Sequence, residues 1–441
     1  MRLFQDFSGR LLRAGVFVLI VVATAPAARA VEIQTVTGAS GVEAWLVEDY
    51  SAPIVTVALA FDGGSAQDPQ GKEGLADLLS TLFDEGAGDY DSKQFQSRLD
   101  RLGVTLQFSD TRDRFFGVMR TLRDDRAAAF EMLRLSLNEL HFDEDSIRRM
   151  REALKSRIAG DANDPASKAS DELRASLFGD HPYSRAPGGT QESLDAIARE
   201  DILAQFARLF ARDNLHVAIV GAIDATETKA MLDAVFGALP AHADLRPVPE
   251  AQLHFGARID IQSSSPQASV TMTLPGVRRA EPDFFAAFLV NQILGGGTFS
   301  SRLYDEVREK RGLAYSVGSS IATFDRAAYL IADAGTRADR VGETLSIMRE
   351  QIERMAREGP TQAELDAAKK YVIGSYAINF LDTSSKIARA LVTIQTENLG
   401  IDYIDRRAAM IDAVTLDEAR AAARKMLGVE PTVVVVGPGN S

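Results

Sequence analysis

The spacing of apolar and polar positions changes from segment to segment along this chain, and each change marks an element. Ile54 to Asp62 and Gln267 to Leu274 alternate as strands do, and each leads into a helical pattern. Arg114 to Leu122 and Ala327 to Gly335 predict two further strands. Long amphipathic helices follow them over Asp125 to Leu140 and Arg340 to Arg357. Phe142-Asp143-Glu144-Asp145 opens a charged helix through Arg157, and Gly359-Pro360-Thr361 opens another through Tyr371. Asn214 to Gly221 (NLHVAIVG) and Pro431 to Gly437 (PTVVVVG) share a polar start, a β-branched run and a closing glycine. Both predict a buried strand that ends in a turn.

The same elements thus occur twice in the same order, which an internal duplication explains. A repeat this long, mixing strands with helices, is a domain. Proline clusters at Pro240, Pro247 and Pro249, as in an extended linker. The expected organisation is a first domain over 31–240, a linker over 241–257 and a second domain over 258–441. Thr105 to Ser109 and Phe115 to Met119 pair as a hairpin, so the fold class is α+β, each domain a mostly antiparallel sheet packed with helices.

Residues 1–30 stand apart. Arg2, Arg10 and Arg13 precede an apolar run from Ala14 to Ala25, and Ala28-Arg29-Ala30 forms a cleavage site. This is the pattern of a signal peptide, so a periplasmic location is expected, with an uncleaved anchor as the alternative. No later stretch reaches membrane-span length, so no stable span is expected after cleavage. The chain holds no cysteine, which excludes disulfides and a thiol nucleophile. Its formal net charge of −13 makes it a poor ligand for nucleic acid or anionic lipid.

Lys72 to Glu85 (KEGLADLLSTLFDE) carries the first candidate chemistry. Leu75, Leu78, Leu79, Leu82 and Phe83 make the core face of a helix, and Asp77, Ser80, Thr81 and Asp84 the opposite stripe. Here the chain resembles the M16 (insulinase/pitrilysin-like) zinc peptidases. Active members carry H-x-x-E-H on this helix, two histidines ligating zinc and the glutamate acting as general base. Aligning Gly74-Leu75-Ala76 with that pattern puts Asp77, Ser80 and Thr81 at the His, Glu and His positions. The family's further glutamate ligand would fall in Ala153 to Ile158 (ALKSRI), which has no carboxylate. The five histidines, His141, His181, His216, His242 and His254, include no pair on one helical turn. The resemblance therefore implies that the chain binds no zinc of its own. Asp77 with Asp84 as a weak site for a hard cation, or simply as a solvated polar stripe, are the remaining readings. His181-Pro182-Tyr183 also matches a loop of the family and reads equally as a turn.

The second half keeps the family's other signature. Gly295-Gly296-Gly297-Thr298-Phe299-Ser300-Ser301-Arg302-Leu303 is followed by YDEVREKRGLAY over Tyr304 to Tyr315. By resemblance, Arg308 grips a peptide carbonyl and Tyr315 stabilises the tetrahedral oxyanion, over the zinc of another subunit. Without the resemblance, the glycines read as a helix end, and Arg302, Arg308 and Arg311 as surface pairs with Glu306 and Glu309. The resemblance spans nearly the whole chain after the signal. It implies two homologous domains of the LuxS/MPP-like type. It also implies a non-catalytic subunit serving a zinc-bearing paralogue with H-x-x-E-H on a peptide substrate, with zinc in the partner only. A non-enzymatic peptide-binding or assembly scaffold is the alternative. A self-sufficient enzyme of another chemistry lacks support, since no G-x-S-x-G elbow is present.

Overall fold

Apart from a short ribbon pairing Gly86–Ala87 with Tyr90–Asp91, the strands gather into two large sheets with one internal order. The computed structural model describes residues 31–297 and 299–438, so the expected signal segment lies outside the described residues. The first sheet holds β1 (Gln34–Thr37), β2 (Glu43–Glu48), β3 (Ile54–Asp62), β4 (Thr105–Asp110), β5 (Arg114–Leu122) and β6 (Leu215–Gly221). Its spatial order is β1-β2-β6-β3-β5-β4, with β2 and β6 parallel and all other neighbours antiparallel. The second sheet holds β7 (Arg258–Gln262), β8 (Gln267–Pro275), β9 (Ala314–Thr323), β10 (Ala328–Arg337) and β11 (Thr432–Gly437). Its order is β9-β10-β8-β11-β7, with β11 and β7 parallel and the rest antiparallel. Strand for strand, β2-β6-β3-β5-β4 recurs as β7-β11-β8-β10-β9, with the parallel pair at the same place. The duplicated pattern in the sequence is a duplicated topology.

Seven helices border the cavities of the molecule and the junction between its halves. They are α1 (Leu75–Ser80), α2 (Glu144–Asp161), α3 (Pro165–Phe178), α4 (Phe284–Asn291), α5 (Gln362–Phe380), α6 (Ser384–Thr396) and α7 (Tyr403–Asp412). None of the described helices is long and apolar enough to cross a membrane.

The sheets divide between residues 221 and 258, but the helices do not respect that division. On β3, Val55, Val57, Leu59 and Phe61 pack into the core of the first half. The alternate positions Thr56, Ala58 and Ala60 are small and equally buried. Small side chains let a helix lie close, and the helix that does so is α6 from the second half. The Thr56 and Ser384 hydroxyls are 3.1 Å apart, and the Gln395 amide donates to the Val217 carbonyl at 2.9 Å. The exchange is reciprocal. Ala169 and Leu173 of α3, a first-half helix, pack on Val434, Val436, Ile259 and Ile261 of the second sheet. Each side chain of that kind, fully buried, contributes about 1.5–3 kcal/mol. The apolar runs of β3 and β11 are thus buried on both faces because each half lends the other a helix.

The proline-rich connection is extended and packs against its surroundings. Val248, Ala251, Leu253 and Phe255 pack with Leu177, Phe178, Tyr183 and Ala327. Its backbone is held on both sides: Ala251 N–H donates to Arg326 O and His254 N–H to Leu177 O, each at 3.0 Å.

A charged latch completes the junction. Arg114 of β5 pairs with Asp62 at 3.1 Å within its own half and with Asp325 at 2.8 Å across the junction. Its guanidinium also donates to the Thr396 carbonyl at the end of α6 at 3.0 Å. Tyr183, fully buried, donates its hydroxyl to Asp113, whose other oxygen accepts the Asp325 N–H at 3.1 Å. His181-Pro182-Tyr183 is therefore a short 3-10 turn whose tyrosine ties the halves together.

Candidate functional site

The helix expected over Lys72 to Glu85 is shorter than its apolar pattern predicts. It starts after Gly74, where Asp68 accepts N–H bonds from Gly74 at 3.0 Å and Ala76 at 3.1 Å, and it ends at Ser80. The Ser80 and Thr81 hydroxyls explain the early stop. They donate back to the carbonyls of Asp77 at 2.8 Å and Leu78 at 2.7 Å, which tightens the last turn. The next backbone bonds, Leu82 to Leu79 and Glu85 to Leu82, have 3-10 spacing. The core face survives because Leu75, Leu78, Leu79, Leu82 and Phe83 are all buried. The polar stripe does not, since Asp84 lies beyond the helix.

The two positions where zinc-ligating histidines would stand, Asp77 and Thr81, and the general-base position, Ser80, are closed against that chemistry. The Asp77 carboxylate pairs with the guanidinium of Arg157, which comes from α2. Arg157 lies in the ALKSRI stretch, so a cationic side chain occupies the region from which a carboxylate ligand would reach. Gly188 lies against the pair, and a Cβ there would meet Asp77 at 3.2 Å and Arg157 at 3.3 Å. Asp110, at the end of β4, feels the same charges. Burial and the nearby Asp77 push its pKa up to about 7, with Arg157 and Arg112 opposing. The Ser80 and Thr81 hydroxyls are spent on backbone carbonyls, and neither is a good zinc ligand. The residues present do not fit zinc. No group of three His, Cys, Asp or Glu among the described residues is arranged to hold a metal. Four of the five histidines serve local partners instead: Gly88 O, Pro249 O, Asp62 and Asp213.

A cavity of about 740 Å³ opens beside Ser80 and Thr81. Its walls are Leu106 to Ser109 of β4, Phe116 to Val118 of β5, and Arg389, Val392 and Thr393 of α6. β4 is the last strand of its sheet, so one side of its backbone has no strand partner among the described residues.

The second-half signature has a different character. Gly295 and Gly296 end α4 in a wide turn, and a Cβ on Gly295 would come within 2.6 Å of the Ser319 backbone nitrogen in β9. That glycine is required for close packing. Arg302 is structural. It grips Glu364 through both carboxylate oxygens, at 2.7 and 2.8 Å, and donates to Gly359 O at 3.0 Å. Although burial opposes it, this clamp and the Thr361 N–H hold the Glu364 carboxyl down at about 2. Arg311 and Lys310 both pair with Glu306.

Arg308 and Tyr315 are the exceptions. Arg308 is exposed, stacks 5.0 Å above the Tyr304 ring, and has no carboxylate in ion-pairing range among the described residues. Tyr315 is 62% exposed. It is the extra residue of a β-bulge, since Ala314 faces Thr336 and Ser316 faces Gly335 on β10. A bulge re-aims a side chain that regular pairing would direct elsewhere. Phe299 is 74% exposed and meets Tyr304, the ring under Arg308, edge to face at 5.3 Å.

Comparison with known proteins agrees with this arrangement. Residues 44–191 match the family described as Insulinase (Peptidase family M16), and residues 196–372 match its Peptidase M16 inactive domain. The chain belongs to the M16 peptidase family. A crystal structure described as a peptidase M16 inactive domain from Pseudomonas fluorescens superposes with a TM-score of 0.87 at 29% identity. The match covers 93% of this chain and 98% of that one. Among curated relatives, an uncharacterized zinc protease of Streptomyces coelicolor is 29% identical over 384 residues, covering 85% of this chain and 83% of that protein. A non-peptidase homolog of Helicobacter pylori is 26% identical over 347 residues, covering 77% of this chain and 79% of that protein. M16 relatives of this length thus include both descriptions, and the residues at Asp77, Ser80 and Thr81 align this member with the second. Sequence reasoning placed these three and the Arg308–Tyr315 pair. It missed Arg157, whose only signal was a basic residue in a stretch that wanted an acidic one. It also missed the Arg114 latch, which no local pattern announces.

Proposed function

We propose that this chain is the non-catalytic subunit of a two-subunit M16 peptidase, exported to the periplasm. It offers Arg308 and Tyr315 to a zinc-bearing paralogue that carries H-x-x-E-H. The observation that carries this reading is the contrast in pairing. Asp77 is paired with Arg157, the Ser80 and Thr81 hydroxyls are bonded to backbone carbonyls, and the neighbouring cations of the second-half signature are paired as well. Arg308 alone among them is left exposed without an acid, and Tyr315 is turned outward by a bulge. A preorganised hydroxyl aimed at developing negative charge stabilises a transition state by roughly 3–4 kcal/mol, and a guanidinium can bind a peptide carbonyl beside it. The groove beside Ser80 and the open edge of β4 suit an extended peptide, bound by backbone pairing.

The test is reconstitution. The paralogue and this chain, each purified alone, are expected to be inactive on peptides, this chain without bound zinc. Mixed, they should form one complex by size exclusion and cleave peptide. A complex that assembles without peptidase activity would favour a peptide-binding or assembly scaffold. Stoichiometric zinc on this chain alone would overturn the reading.

A further inference from the structure

A second cavity, of about 400 Å³, lies among α4, α5, α6 and α7, away from the Arg308–Tyr315 surface. Its walls are aromatic. Phe284, Phe285 and Phe288 come from α4, Tyr376 and Phe380 from α5, and Tyr403 from α7. Such a pocket has the size and lining of a small-molecule site. What sets it apart is the charge placed in it. Arg279, Arg389 and Arg407 all line it, and none has a carboxylate in ion-pairing range among the described residues.

Arg407 is the clearest case. Only 8% of it is exposed. Its guanidinium lies 4.0 Å over the Tyr376 ring, donates to the Val372 carbonyl at 3.3 Å and has the Tyr403 hydroxyl as its other polar neighbour, with no anion among the described residues. Arg279 stacks 4.2 Å over Phe284 and donates to the Tyr403 hydroxyl. Glu397 feels Arg279 and Arg114 through space without pairing with Arg279. Lys386 at the rim is already paired with Asp382, at 2.8 Å. A buried guanidinium without an anion is costly, and ring faces compensate only a part of that cost. An apolar wall beside unsatisfied cations selects a ligand with both features.

We propose that this cavity binds a small anionic amphiphile, a carboxylate on an apolar chain of medium length. The tail lies against the phenylalanines, and the carboxylate meets Arg279 and Arg407 in the bidentate geometry that guanidinium favours. A peptide C-terminus has the same chemistry. The walls are helical, however, and offer no strand edge for a peptide backbone, so a free small molecule is the occupant. This inference does not rest on the peptidase reading.

Calorimetric titration of the mature chain with decanoate tests it. Decanol and decyltrimethylammonium supply the neutral and cationic comparisons, and a short peptide ending in a free phenylalanine supplies the other source. One decanoate per chain is expected, bound at least about tenfold more tightly than decanol, the loss that removing a charge-assisted bond brings. Arg279→Gln should weaken decanoate by a similar factor. Phe380→Asp, at an exposed rim position, should do so without touching the buried arginine, and thermal unfolding checks that both variants fold. Absence of saturable decanoate binding, equal affinity for decanol, unchanged binding in both folded variants, or preference for the peptide would each overturn the proposal.

Discussion

The two halves share a topology and treat their charged residues in opposite ways. In the first half, Asp77 has Arg157, and the Ser80 and Thr81 hydroxyls have backbone carbonyls. In the second half, Arg302 has Glu364 and Arg311 has Glu306, yet Arg308 has no acid and Tyr315 stands 62% exposed. A carboxylate already held by a guanidinium and hydroxyls already bonded to carbonyls have nothing left for a metal. A surface that leaves a cation and a hydroxyl unsatisfied, beside Arg302, Lys310 and Arg311 that are each paired, is suited to something outside the chain. The difference teaches that a position where relatives of the family hold a metal can be occupied by an ion pair. An arginine from α2 supplies the positive charge locally, and the fold keeps its core face on α1 intact.

Mutation can sharpen this contrast, beginning with groups that are satisfied and ending with one that is not. Arg114→Ala should have the largest effect on folding. It strands Asp62 and Asp325 at the junction and frees the end of α6. Breaking a buried pair costs about 3–5 kcal/mol, and partial exposure of both carboxylates brings the expected loss to roughly 2–4 kcal/mol. Urea unfolding measures it, and a loss below about 0.5 kcal/mol would show that the latch does not join the halves. Arg302→Ala should cost roughly 1.5–3 kcal/mol, the range for hydrogen bonds to charged groups. Glu364 has its pKa depressed to about 2, so its contribution is present above the ordinary carboxylate range. It is lost as pH falls from about 4.5 toward 2. The variant should therefore lose less stability than the parent over that window.

Asp110 has the opposite sign. Its pKa is raised to about 7, so the folded state takes up a proton that the unfolded chain does not. Its share of stability is complete below about 4 and disappears as pH rises through 7. Asp110→Asn should flatten the stability profile between those limits, read by denaturant midpoints across pH. An unaltered profile would mean that burial and Asp77 do not hold the Asp110 carboxyl protonated in the folded state. Arg308→Ala should have the smallest effect on folding, within about 0.5 kcal/mol, because the residue is exposed and unpaired. A loss above about 1 kcal/mol would make it an ordinary structural arginine and remove the contrast between the halves.

The sequence makes the strands legible because their periodicity is strong. β3 and β5 have the expected bounds, and the helices expected at Asp125 and Arg340 run over Arg126–Asn138 and Val341–Glu358. It misleads where tertiary structure overrides local pattern. Leu82 and Phe83 continue a helical spacing, yet two hydroxyl back-bonds end α1 before them. The connection around Pro247 and Pro249 reads as an extended linker, and nothing local announces that Val248, Leu253 and Phe255 pack against Leu177 and Phe178. The exchange of α3 and α6 leaves only one trace in the sequence, the small residues Thr56, Ala58 and Ala60 on one face of β3. Pairing partners far apart along the chain, such as Arg114 with Asp325 and Asp77 with Arg157, have no local signature at all. The candidate positions themselves were legible because a long motif fixes them together.

The trans role proposed for Tyr315 is the point on which the account turns, and Tyr315→Phe tests it with the least disturbance. The change removes one exposed hydroxyl and no buried volume, so the chain should fold and assemble with its zinc-bearing paralogue as before. Measured on the co-purified complex, kcat should fall roughly 10²- to 10³-fold, the loss typical of one oxyanion donor. An intact complex with unchanged kcat would contradict the account and leave this chain a scaffold.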